Sequence, residues 1–154
     1  MCGERGNGSK IRVLLAESRN EEAPMILVVD DEHLLSFSLR MLLEVAGYDV
    51  GVAENGELAL KAIRLRRPDL VITDFAMPVM TGLELAKAIR ADRELDHLPL
   101  ILVTGEHAGI GCGRPDLFQA VFEKPYIGEH LLEAVALHVV PGGGSHMTAS
   151  LHPS

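Results

Sequence analysis

The 154-residue chain suits one compact domain, and with 47% apolar residues it can bury a sizeable core. A formal charge of −8 without any basic run argues against direct nucleic-acid binding. Cys2 and Cys112 stand in no metal-type or CxxC spacing, no apolar run approaches a membrane span, and the first residues lack a signal-peptide core, so the expected setting is cytoplasmic, with no membrane attachment.

Residues 1–24 read as an N-terminal extension, 25–140 as the folded domain and 141–154 as a flexible tail rich in Gly, Ser, His and Pro. Within the tail, Gly144-Ser145-His146-Met147 is either native or part of a cloning scar. Within the extension, Ile11-Arg12-Val13-Leu14-Leu15-Ala16 looks like a strand, yet Pro24 arrives too soon for a helix to follow it. It is either an added segment packed on the domain or a tail.

From residue 25 onward, apolar runs alternate with helical patterns. Met25-Ile26-Leu27-Val28-Val29 predicts a strand buried on both faces, as do Leu70-Val71-Ile72 and Leu98-Pro99-Leu100-Ile101-Leu102-Val103. Residues 48–52 and 120–122 are weaker strand candidates. Leu35, Leu39, Leu42 and Ala46 predict one helix face, ended by Gly47. Leu58, Ala59, Ala62 and Ile63 predict a second helix, begun near Asn55 and stopped before Pro68. Leu85 and Ile89 mark a third; Ile127, Leu131, Ala134 and Val135 mark the last. This alternation predicts an α/β sandwich with a parallel sheet and right-handed crossovers.

The fourth crossover breaks the rhythm. Gly105, Gly109, Gly111, Gly113 and Pro115 fall where a helix belongs. An internal glycine costs about 1 kcal/mol relative to alanine and a proline about 3. No full helix is expected over 105–115, and at most a short turn near 116–119.

Binding sites in such sheets form at the carboxyl ends of the strands. Here those ends carry Asp30-Asp31, Thr73-Asp74, Thr104 and Lys124-Pro125. Clustered carboxylates favour a hard divalent cation such as Mg²⁺. An aspartate can serve as nucleophile toward phosphorus, and a metal and a lysine can stabilise charge on the transferring phosphoryl oxygens. A threonine hydroxyl can donate to the group once it has arrived. Taken singly, each has a plain reading. Asp30-Asp31 suits a helix cap, Asp74 with Met77-Pro78 suits a turn, and Lys124 suits a solvated lysine before a loop.

Taken together, they resemble the receiver domain of response regulators. The matching pieces are Val28-Val29-Asp30-Asp31-Glu32, Asp69-Leu70-Val71-Ile72-Thr73-Asp74, Met77-Pro78-Val79-Met80-Thr81-Gly82-Leu83-Glu84, Val103-Thr104-Gly105 and Lys124-Pro125. The resemblance spans about residues 25–138. It implies a doubly wound, flavodoxin-like five-stranded parallel sheet of order 2-1-3-4-5, here with a fourth helix short or disordered. It implies Asp74 as phosphoacceptor; Mg²⁺ held by Asp31, Asp74 and the backbone carbonyl of Ala76, with Asp30 in support; Thr104 as responder; and Lys124 as the phosphoryl's cation, with a cis bond to Pro125. The implied donor is a sensor histidine kinase or a histidine phosphotransfer protein, and the output an unidentified protein contact. A receiver fragment of a hybrid histidine kinase, or a relay sink, is the alternative.

The chain departs from the family pattern at Thr81, where Asp is common, and at Val121, where an aromatic switch residue is usual. Phe122 would face the other side of its strand. The glycine-broken crossover is a third departure, similar to a subgroup of single-domain receivers. An aspartyl-nucleophile phosphatase of the haloacid dehalogenase type would carry a second Asp two residues after the nucleophile, where this chain has Ala76. The expectation is therefore a phosphoacceptor and not a turnover enzyme. The seven histidines are scattered and predict no metal site, and His33 stands beside the expected pocket.

Overall fold

The computed structural model describes residues 23–139. The segment 11–16, the extension before residue 23 and the tail at 141–154 lie outside them. The elements run β1 (Met25–Val29), α1 (His33–Val45), β2 (Asp49–Ala53), α2 (Gly56–Leu65), β3 (Leu70–Thr73), α3 (Gly82–Ala91), β4 (Leu100–Thr104), α4 (Ala108–Cys112), β5 (Ala120–Glu123) and α5 (Gly128–His138). The strands form one five-stranded sheet of order β2-β1-β3-β4-β5, every pairing parallel. The alternation of strand and helix, the weak strands at 49 and 120, and the strand order all agree with the sequence reading.

Strand alternation divides the core. Leu27, Val29, Val71, Leu100 and Leu102 face one side, where Ala59, Leu60 and Ile63 of α2 and Leu85, Ala86 and Ile89 of α3 cover them. Ile26, Val28, Leu70, Ile72, Ile101 and Val103 face the other, under Leu39 and Leu43 of α1 and Leu131 and Val135 of α5. Burying a side chain of this size stabilises by about 2 kcal/mol, so the strands' continuous apolar runs follow from having two faces to cover.

Two helix faces differ from expectation. On α1 the buried positions are Ser36, Leu39 and Leu43, while Leu35 is 42% exposed. On α2, Gly56, Ala59, Leu60 and Ile63 are buried and Leu58 is 43% exposed. Eight of the thirteen α1 positions are apolar and they are spread around the helix, so periodicity alone leaves its face ambiguous by about one residue. Leu34, Phe37, Met41 and Val45 are exposed.

The helix ends follow their chemistry. Gly47 takes φ 105, and the bonds Tyr48 N–H to Leu43 carbonyl (3.1 Å) and Gly47 N–H to Glu44 carbonyl (3.0 Å) close a Schellman turn. Asn55 caps α2 by accepting the Leu58 N–H at 2.9 Å.

The fourth crossover holds a five-residue helix, Ala108–Cys112, upstream of the turn expected at 116–119. Local propensity counted the cost of the glycines but not their use. A Cβ at Gly111 would stand 2.5 Å from Leu102 Cδ2 and 3.0 Å from Val121 Cγ2, so a glycine lets α4 lie directly on the sheet.

Candidate functional site

Asp30, Asp74 and Lys124 stand one position beyond the last regular pairing of their strands. Asp30 N–H bonds the Ala53 carbonyl, Asp74 N–H the Val29 carbonyl (both 3.0 Å), and Lys124 N–H the Thr104 carbonyl (2.9 Å). Ladder bonds therefore fix the backbones while the side chains point off the sheet's carboxyl edge. Thr104 ends β4 and is 1% exposed.

Three carboxylates converge there. One oxygen each from Asp30, Asp31 and Asp74 lies within 4.8 Å of the others. Among the described residues, this is where acidic, histidine or cysteine ligands gather. Lys124 Nζ stands 3.7 Å from Asp30 Oδ2 and 3.7 Å from Asp74 Oδ1, reaching between the two acids. Lys124-Pro125 is cis. Asp30 does not cap α1. Its Oδ1 accepts the Glu32 N–H at 2.9 Å, and the cap position, Glu32, makes no side-chain cap bond.

Asp74 is held from several directions. Its Oδ1 accepts the Phe75 N–H at 2.8 Å, and its carbonyl accepts the Thr73 hydroxyl at 2.8 Å. Its pKa is raised above the ordinary 3.8, chiefly by burial and further by Asp30 and Asp31; Lys124 and the Phe75 amide pull the other way. The Tyr126 phenol is also raised, by burial and then by Asp30. From the acids a cavity of about 480 Å³ runs beneath α1 over Val28, Leu39, Ile72 and Val103.

The structure brings Asp30, Asp31, Asp74 and Lys124 together and ties Thr104 to Lys124 through the backbone. Ala76 is exposed in the loop leaving Asp74. His33 sits apart from the cluster's contacts, with Nε2 3.8 Å from Glu54 Oε2. Val121 packs with the α2–α3 side of the core and Phe122 with the other, edge-on to Tyr126 at 6.3 Å, as strand alternation requires.

Three contributors were not read from sequence. The Phe75 amide holds the Asp74 carboxylate. Gly82 opens α3, where a Cβ would stand 2.1 Å from the Asp74 carbonyl oxygen, so glycine allows this helix to abut the loop. The His107 ring lies flat on Phe75, with centroids 4.1 Å apart and planes 9° from parallel. Gly82 lay inside a quoted motif, which was a signal; the ring pair joins residues far apart in sequence and left none.

The family model described as "Response regulator receiver domain" matches residues 26–135. The chain belongs to that family. It is 36% identical over 108 residues to the phosphate regulon transcriptional regulatory protein PhoB of Rhizobium meliloti (strain 1021), covering 66% of this chain and 48% of that one. The receiver thus spans about half the length of the curated relatives it matches. Among solved structures it is similar to the chemotaxis response regulator CheY4 of Vibrio cholerae, with 30% identity, TM-score 0.69, and 76% and 99% of the two chains covered. It is also similar to the signal receiver domain of a signal transduction histidine kinase from Syntrophus aciditrophicus, with 29% identity, TM-score 0.69, and 75% and 89% covered. Among the described residues no helix is long and apolar enough to cross a membrane.

Proposed function

We propose that this receiver accepts a phosphoryl group on Asp74 from a phosphohistidine, with Mg²⁺, and passes the change to a protein partner. The observation that carries this is the meeting of three acids and one lysine at the ends of β1, β3 and β5.

The donor set is hard oxygen throughout, which fits Mg²⁺ and not a soft metal. Asp30, Asp31 and Asp74, with the carbonyl of Ala76, would hold the ion. When bound, it offsets the mutual repulsion of the acids and polarises the incoming phosphoryl oxygens. An Asp74 carboxylate oxygen attacks phosphorus; the P–N bond breaks and its electron pair returns to the donor imidazole. The product is an acyl phosphate. Lys124 offers its ammonium to a phosphoryl oxygen, and Thr104, at the neighbouring strand end, offers its hydroxyl. Ala76 supplies no proton for steady turnover, so the domain acts as acceptor and switch and not as a phosphatase. The donor is a sensor histidine kinase or histidine phosphotransfer protein in the cytoplasm, and the receptor of the signal is an unidentified protein.

Incubation with acetyl phosphate and Mg²⁺, read by intact mass, tests this. Wild type should gain one phosphoryl group, and Asp74→Asn should gain none. Equal labelling of both would remove Asp74 from the role.

The likeness to a histidine kinase's own receiver favours a second reading, in which this domain serves within a hybrid kinase or as a relay sink. A kinase core encoded upstream in the same reading frame would decide for it.

A further inference from the structure

We propose that the stacked rings of Phe75 and His107 carry the state of Asp74 to helix α4, with His107 as the positioning residue. The proposal rests on the phosphoacceptor reading and adds a route for the signal.

The contacts form an unbroken chain. The Phe75 N–H donates to Asp74 Oδ1 at 2.8 Å. The Phe75 ring packs against the α2–α3 side of the core and carries His107 flat upon it at 4.1 Å. His107 is the N-cap of α4, and its carbonyl accepts the N–H groups of Ile110 at 3.1 Å and Gly111 at 3.4 Å. The position of the His107 backbone therefore sets where α4 begins.

Helix α4 has little to hold it otherwise. It is five residues long, contains Gly109 and Gly111, and has no side-chain cap bond. A helix so short does not persist alone, and each glycine weakens it by about 1 kcal/mol. It depends on two tertiary anchors: the seat of Gly111 on Leu102 and Val121, and the ring stack. Of the two, the stack is the one joined to Asp74. Val121, beneath the helix, offers only an aliphatic surface.

Phosphorylation acts at the first link. The Phe75 amide now faces a carboxylate, a charge-assisted bond. In the acyl phosphate that carboxyl group becomes one half of a mixed anhydride, its charge moves to the phosphoryl oxygens, and the amide hydrogen bond weakens or re-aims. The Phe75 peptide turns, its ring follows, and His107 moves with it. Thr104, three residues upstream of His107, is drawn toward the phosphoryl group at the same time. A re-seated His107 then holds α4 more firmly.

Hydrogen exchange over 108–112, with and without beryllofluoride and Mg²⁺, tests the route, with uptake at Asp74 followed separately by ¹⁹F NMR. In wild type, loading should slow exchange by about fivefold or more, the low end of coupling between linked sites. His107→Phe keeps a stackable ring and should keep most of that response. His107→Ala should load beryllofluoride yet lose the response. Phe75→Leu leaves the α4 cap in place, so it separates a lost linkage from a lost helix; it too should load without slowing exchange. A wild-type response in His107→Ala or Phe75→Leu overturns the linkage while the phosphoacceptor reading stands. A His107→Phe protein that behaves like His107→Ala overturns it as well. Failure of wild type to take up beryllofluoride brings down the phosphoacceptor reading and the linkage with it.

Discussion

Helices α3 and α4 flank the same carboxyl edge and are built in opposite ways. α3 opens with a reciprocal capping box, in which Thr81 Oγ1 accepts the Glu84 N–H at 3.1 Å and Glu84 Oε1 accepts the Thr81 N–H at 2.9 Å. It buries Leu85, Ala86 and Ile89. It ends on Arg90, which donates to the carbonyls of Asp96 (3.1 Å), Leu98 (2.6 Å) and Leu117 (2.7 Å) and to Gln119 Oε1 (3.1 Å). α4 is half that length, lacks a side-chain cap bond and contains two glycines. The wall that abuts Asp74 is clamped at both ends, whereas the wall beyond Thr104 rests on two contacts. A receiver built this way can rearrange on one side while the Asp74 backbone stays where its ladder bond puts it.

The largest expected effect comes from unclamping the firm wall. Arg90→Ala strips four bonds from a guanidinium and leaves carbonyls at the entries to β4 and β5 without it. A loss of about 3 kcal/mol in urea unfolding is expected; a loss near zero would show that α3 needs no clamp and would erase the contrast. Between the walls, Asp74→Asn should raise stability at pH 7 with chelator present. The native Asp74 carboxyl holds its proton more tightly than the unfolded chain does. Its destabilising effect is therefore absent below the ordinary 3.8, appears as pH climbs through the raised pKa, and is complete above it. Paired unfolding curves for the two proteins should converge in acid and separate toward neutrality; an unchanging gap would mean that burial of the charge is not the cause. The smallest change strengthens the weak wall. A Cβ at Gly109 meets nothing within 4 Å. Gly109→Ala should favour α4 by about 1 kcal/mol and slow exchange at 108–112 about fivefold, with global stability barely altered. Faster exchange would place the weakness of α4 somewhere other than its glycines.

Which of these features the chain announces depends on the range of the interaction. β1, β3 and β4 were legible because a strand covered on both faces must be apolar throughout. Asp30, Asp31, Asp74 and Thr104 stood out as candidates because they end or follow such runs, whereas Lys124 follows the half-buried β5 and stood out only with Pro125. Topology then brings the strand ends together. The buried face of α1 was read one residue off, since apolar side chains surround most of it. Arg90 gave no sign, because a basic residue at a helix end looks like ordinary solvated charge until its four acceptors arrive from 96 to 119. The position of α4 escaped for a related reason. A glycine's cost is local and can be counted along the chain, but its benefit, as at Gly111 and Gly82, appears only when another backbone or side chain comes close.

The parallel topology has a consequence for how this domain is carried. β1 begins at the sheet's amino edge, and α5, running back from β5, ends toward that same edge. Chain that enters before Met25 and leaves after His138 does so on the side away from Asp74. An engineered fusion joined directly at Met25 or His138 would therefore start from the face opposite the acidic rim.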